Sequence, residues 1–132
     1  MIKLDEVYYS SCEHAYQAAK TIFPDERKLF TALGFTAGDA KKLGQTLKLR
    51  EDWDHIKVNI MEDLVRQKFQ TIVLRAQLLK TGQAIIIEGN SWHDQFWGDC
   101  TCLKHQGIPG QNHLGRILMK IRGECNVLAA SY

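Results

Sequence analysis

Hydrophobic residues recur at helical spacing through most of this chain, and the polar positions between them mark where each helix starts and stops. Cys12, Ala15, Tyr16, Ala19 and Phe23 form one stripe behind a Ser10 or Ser11 N-cap, with Glu13, Gln17 and Lys20 together on an adjoining polar strip. Pro24 suits the first turn of a second helix, DERKLFTAL, which Gly34 can close. Thr36 offers an N-cap for AGDAKKLGQTL, and Trp53, Ile56, Ile60, Met61, Leu64 and Val65 then draw one continuous apolar arc, the clearest helix of the chain. IVLRAQLLK makes a fifth helix ending at Thr81-Gly82, and the last runs through LGRILMKIR with Asn112 as its cap. Residues 84–88, AIIIE, are β-branched and bounded by turn residues, which predicts a short buried strand. The expected architecture is therefore mainly α, multihelical, with a small β element, as a single domain over residues 1–132.

Composition narrows the function classes. A chain of 132 residues can bury a core without staples, and a net charge of +2 is too small to argue for nucleic acid by itself. No apolar run reaches the roughly 18 residues of a membrane span, and the N-terminus lacks a secretory core, so a cytoplasmic protein without membrane contact is expected. On that reading Cys12, Cys100, Cys102 and Cys125 are reduced thiols.

Lys57 falls in the middle of the Trp53 to Val65 arc, where a solvated lysine is out of place. Such a lysine finds an anion, snorkels to the surface, or loses its proton and becomes nucleophilic. From residue 89 to residue 111 the pattern turns irregular, and a loop of that length inside a domain is usually functional. It holds Trp92, Phe96 and Trp97 among histidines, aspartates and glycines, a composition that suits either a pocket for a flat heterocycle with a sugar phosphate or aromatic anchors that hold the loop. The N-terminus of the last helix faces the same loop and is a candidate phosphate site. CTCLKH places Cys100, Cys102 and His105 close together, but three ligands without a doubled C-x-x-C predict no metal, since Cys12 or His93 would have to arrive through tertiary structure as a fourth. Neither a Walker loop nor G-x-G-x-x-G is present, which removes kinase, GTPase and Rossmann readings, and no cofactor is expected.

Five motifs stand in a telling order: EHAYQAAK at 13–20, W-x-x-x-K-x-x-x-M at 53–61, TG-x(5)-E at 81–88, D-x-x-WG at 94–98, and G-x-N-x-LG-x-x-LM-x-x-R at 110–122. Together they resemble the NADAR family, also called YbiA-like, from about residue 7 to residue 122. The resemblance implies a largely helical single domain that cleaves N-glycosidic bonds, in ribosylamino-pyrimidine phosphates of riboflavin synthesis or in ADP-ribosylated guanine, including ADP-ribosylated nucleic acid. It also implies that the aromatic-rich FLSNF-like segment usual before the EH motif is absent here, because only MIKLDEVYYSS precedes Cys12. A binding module for ADP-ribose or NAD without catalysis is the alternative expectation, and an aromatic loop packed on a partner protein is a third.

Breaking a C1′–N bond builds positive charge on the ribose and leaves a nitrogen that needs a proton. Lys57 is the expected nucleophile, forming a Schiff base at the anomeric carbon, with Glu13 and Asp94 for proton transfer and cation stabilisation. Lys20 either binds phosphate or keeps Glu13 ionised. The resemblance adds His14, Trp53, Glu88, Trp97, Gly98 and Asn112 as substrate-binding positions, Trp97 by stacking on the base.

Overall fold

The chain begins with a hairpin that the helical pattern does not announce. β1 (Ile2–Leu4) pairs antiparallel with β2 (Val7–Tyr9), Ile2 opposite Tyr9. Asp5 and Glu6 both have positive φ, +47° and +69°, as a type I′ turn requires of its two central residues. The computed structural model describes residues 1–130. It divides into two compact units, Met1–Lys68 and a second that begins at Phe69.

In the first unit, α1 (Cys12–Ala18) starts at Ser11, whose Oγ accepts the His14 amide. Ala15, Tyr16 and Ala19 are buried as the stripe predicts, and Ala18, outside the stripe, is buried as well. Phe23, the last member of that stripe, lies beyond the end of α1 and is exposed. Pro24 does open the second helix, but α2 (Pro24–Lys28) tightens into a 3-10 turn, Leu29–Thr31, and is shorter than the pattern suggests. Only Phe30 of that segment is buried.

α3 (Ala37–Gly44) has a full capping box between Thr36 and Asp39, a device worth about 1 kcal/mol. α4 (Trp53–Lys68) packs on α1 and β1. It buries Trp53, Met61, Leu64 and Val65, while Ile56 and Ile60 at the edge of the arc are half-buried. The Trp53 ring lies 5.1 Å from that of Tyr16, so the largest residue of α4 is anchored on α1.

In the second unit, α5 (Ile72–Lys80) and α6 (His113–Ala130) pack against each other. The expected strand at 84–88 does not form: Ile85 and Ile87 are exposed, and the sheet is one parallel step, β3 (Gly89–Asn90) beside β4 (Asp99–Cys100). The reason is that side chains take the hydrogen bonds a neighbouring strand would have supplied. Arg122 donates to the Ala84 carbonyl, and Asn112 both donates to the Ile86 carbonyl and accepts from the Glu88 amide. The fold is mainly helical, with six α-helices among the described residues. No described helix is long and apolar enough to cross a membrane.

Candidate functional site

In the first unit the polar strip of α1 is not a solvated face. Glu13 is half-buried and accepts a 2.9 Å hydrogen bond from Gln17 Nε2 one turn later. Gln17 itself is 5% exposed, and its Oε1 is buried with no hydrogen-bond partner among the described residues. It fits because residue 44 has no Cβ: one built there would stand 1.8 Å from Gln17 Oε1. Sequence pattern alone placed Gln17 as an ordinary polar position, and nothing in its spacing singles out Gly44 as the residue that makes room for it.

Lys20, at the end of the same strip, extends over the Tyr16 ring, 5.9 Å from its centroid. Burial pushes its ammonium below the ordinary lysine pKa, Glu13 pulls it back up, and Lys41 and Lys57 add to the depression. Glu13 and Lys57 thus both lie close enough to Lys20 to act on its charge. Lys57 does not have the fully buried ammonium that its place on the arc suggests. Its side chain is 22% exposed and its Nζ sits 3.3 Å from Asp54, itself exposed, so the charge reaches an anion.

Two positions expected to touch substrate face inward instead. The His14 ring is buried, with Nδ1 2.7 Å from Ser11 Oγ and Nε2 2.6 Å from the Phe35 carbonyl. The Phe35 carbonyl requires a proton on Nε2, and with Ser11 Oγ at Nδ1 both ring nitrogens are engaged within the fold. Trp53 is 5% exposed and belongs to the core. Both are packed within the first unit, Trp53 on Tyr16 and His14 between Ser11 and Phe35.

The second unit brings Glu88, Asp94, Trp97, Gly98 and Asn112 into one hydrogen-bonded network. Asp94 Oδ1 accepts from the amides of Phe96, 3.1 Å, and Trp97, 2.8 Å, which folds residues 94–97 into a turn. Asn90, buried and unforeseen from the sequence, grips Asp94 from both sides, accepting from its amide and donating to its carbonyl. The same Asn90 Nδ2 lies 3.3 Å from Glu88 Oε2. Glu88 in turn lies against Gly98, where a Cβ would meet Oε2 at 1.8 Å and the backbone carbonyl at 2.1 Å. Gly110 packs as tightly on Gly98, its missing Cβ falling 2.1 Å from the Gly98 carbonyl. Trp97 is half-buried and meets Phe96 and His113 edge to face, at 4.9 and 6.3 Å.

Asn112 departs from its expected role. It stands at the head of α6 with φ of +53°, a left-handed conformation asparagine tolerates, and its side chain leaves the helix for Ile86 and Glu88. The first two amides of α6, on His113 and Leu114, donate to the carbonyls of Phe96 and Trp97. Those donors are therefore spent on the turn and are not open to a phosphate. A separate group in this unit, His93, Cys100, Cys102 and His105, brings four metal-ligating atoms within 4.8 Å of one another.

Comparison with known proteins gives this arrangement a lineage. The model of the NADAR domain matches residues 1–126, running through both units. The chain is 38% identical over 128 residues to the N-glycosidase Npun_R5314 of Nostoc punctiforme, covering 93% of this chain and 78% of that one. It is 32% identical over 124 residues to the N-glycosidase YbiA of Escherichia coli, covering 92% and 73%. A 41% match over 120 residues to the riboflavin biosynthesis protein VVA0006 of Vibrio vulnificus covers 88% of this chain but only 30% of that larger protein. The NMR structure of Escherichia coli YbiA superposes with a TM-score of 0.83 at 28% identity, over 99% of this chain and 76% of the other. The chain belongs to the NADAR domain family and is an N-glycosyl hydrolase.

Proposed function

We propose that the bond it cleaves joins C1′ of a ribose to the nitrogen of a heterocycle, with Lys57 as nucleophile and Glu13 as the group that moves the proton. The observation that carries this reading is the cluster of Glu13, Lys20 and Lys57 on the first unit, where the charges of Glu13 and Lys57 both act on Lys20. In its neutral form Lys57 attacks C1′, and the electrons of the C1′–N bond leave with the nitrogen. One amine proton ends, through Glu13, on the departing nitrogen and the other on the ring oxygen as the imine forms. Water then adds to C1′ and restores the amine. Lys20 takes a phosphate of the substrate or holds Glu13 ionised, and its partly desolvated ammonium suits either task.

Taken by itself, the second unit offers Trp97 as a half-buried ring suited to a heterocycle and Asp94 with a carboxylate oxygen that the turn does not use. Glu88, Gly98 and Asn112 keep that turn in shape. The relative named for riboflavin biosynthesis favours a ribosylamino-pyrimidine phosphate as substrate, with ADP-ribosylated guanine, free or in nucleic acid, as the other candidate. Four free cysteines suit a reducing compartment, and the cytoplasm is the proposed place of action.

Mass spectrometry after mixing the protein in turn with ribosylamino-pyrimidine phosphate, ADP-ribosylated guanosine and NAD should show base released from one of the first two. Borohydride added during turnover should leave a ribosyl adduct on Lys57, and Lys57→Arg should fold normally yet lose nearly all activity, since a guanidinium forms no imine. Near-normal turnover by Lys57→Arg would point instead to a carboxylate mechanism on Glu13. Binding of NAD or ADP-ribose without any released base would sink the hydrolase reading.

A further inference from the structure

We propose that His93, Cys100, Cys102 and His105 form a tetrahedral metal site for zinc, which clips the turn carrying Asp94 and Trp97. The expectation of no metal rested on finding three ligands in C-x-C-x-x-H; the folded chain adds the fourth, seven residues upstream of Cys100. The four donor atoms lie within 4.8 Å of one another. In a tetrahedral zinc site with Zn–S near 2.3 Å and Zn–N near 2.05 Å, a sulfur and a nitrogen stand about 3.5 Å apart. Here Cys102 Sγ is 3.3 Å from His93 Nδ1 and 3.1 Å from His105 Nδ1, and Cys100 Sγ is 3.9 Å from His93 Nδ1. The spacing needs only small side-chain adjustments to become a coordination shell.

Each ligand is placed by a different piece of backbone. Cys100 is held on β4, and the Cys102 amide points at its sulfur at 3.5 Å, a donor that stabilises a thiolate bound to metal. A 3-10 turn, Leu103–His105, presents His105. His93 has φ of +70°, an uncommon conformation for a histidine, and it turns the ring towards the two sulfurs. Two thiolates with two imidazoles select zinc over hard cations such as magnesium or calcium. Binding releases the two thiol protons to solvent. With all four positions filled by protein, the site is structural. It would bridge the two sides of the Asp94 to Trp97 turn, since His93 immediately precedes Asp94 and Cys100 follows Gly98 by two residues. A cleft of about 450 Å³ lined by Cys100, His105 and Pro109 leaves the site open to chelators.

The test is elemental analysis of the full chain, purified under reducing conditions from zinc-supplemented culture with any affinity tag removed. The expected result is one zinc per chain that survives dialysis and is released by a strong chelator. Cobalt(II) loaded in its place should give intense tetrahedral ligand-field bands and a thiolate-to-cobalt charge-transfer band. Cys102→Ser and His93→Ala should weaken zinc binding by more than about 100-fold, beyond the 10- to 100-fold typical of losing an outer-shell partner. His105→Cys should keep the metal, and so should Cys12→Ser and Cys125→Ser. If Cys102→Ser fails to fold, the cobalt spectrum of the unaltered chain decides. A metal-free chain with four titratable thiols that takes up no cobalt overturns the proposal, as does zinc retained by both His93→Ala and Cys102→Ser. None of these readouts depends on glycosidase activity, so the site stands or falls apart from the reaction.

Discussion

Gln17 Nε2 donates to Glu13 Oε1 at 2.9 Å, while the oxygen of the same amide is buried in the gap over Gly44 without a partner among the described residues. A glutamine held in that way serves the carboxylate it touches. Replacing it with leucine removes the unpaired oxygen, so the fold should lose little or nothing. Glu13 meanwhile loses the group that fixes it, and kcat/KM should fall about 10- to 100-fold, the size of a hydrogen bond to a charged group. Gly44→Ala should reproduce the effect from a different helix, because its Cβ would displace the Gln17 amide. The two substitutions combined should cost no more activity than either alone. Full additivity in steady-state kinetics would show that Gly44 does not act through Gln17.

Lys20 offers a test of the charge cluster that needs no substrate. Its ammonium is depressed by burial, raised by Glu13 and lowered by Lys41 and Lys57. Carbon-13 titration of the lysine Cε should find it below the ordinary lysine value. Glu13→Gln should lower it further, and Lys57→Met should raise it. The unfolded chain binds more protons than the folded one between the two Lys20 pKa values, so this residue's contribution to stability rises with pH through that window. Below the folded value its full penalty is present. A Lys20 that ignores both substitutions would mean the three charges do not share a face.

Asp94 has two possible uses, and two substitutions tell them apart. Its Oδ1 holds the Phe96 and Trp97 amides. Asp94→Asn keeps an acceptor oxygen for both bonds and removes only the charge. Asp94→Ala removes the turn as well, at about 1.5–3 kcal/mol for each bond to a charged acceptor. If the carboxylate stabilises a cationic ribose, Asp94→Asn should keep its unfolding midpoint in denaturant and lose most of its rate. Should Asp94→Asn turn over normally while Asp94→Ala does not, the residue only positions Trp97.

Gly98 and Gly89 lie on the two sides of the short parallel sheet, and they should respond oppositely to alanine. A Cβ at Gly98 would press on the Glu88 backbone carbonyl, which cannot move aside, so Gly98→Ala should cost about 1–3 kcal/mol of stability, as overpacking does. At Gly89 nothing lies within 4 Å, and Gly89→Ala should be close to neutral. Chemical denaturation of both variants checks the pair; equal costs would show that Glu88 is not seated where the packing puts it.

What the order of residues determined by itself is whatever rests on contacts a few positions apart. The stripe of Ala15, Tyr16 and Ala19, the Thr36 cap and the start of α4 at Trp53 are local, and their periodicity states them directly. The five ordered motifs likewise carried the family. Local pattern misled where a distant side chain took over the role of a neighbour. Residues 84–88 have the composition of a buried strand, yet Arg122 and Asn112, more than twenty residues on, satisfy their backbone and no strand is needed. The opening hairpin was missed because its turn is Asp5-Glu6, a pair without the glycine that normally signals positive φ.

The same division runs through the site. Lys57 was legible as an out-of-place charge because a helical wheel shows it at once, while Glu13 and Lys20 stood on an ordinary polar strip and drew attention only through the family resemblance. That Gln17 is buried, that His14 spends both nitrogens on Ser11 and Phe35, and that His93 joins Cys100, Cys102 and His105 are facts of tertiary structure. A polar side chain has the same spacing whether it meets water or a partner from a distant segment. Only the folded chain, by removing the water and supplying the partner, decides which polar residues are held in place and which are left to act.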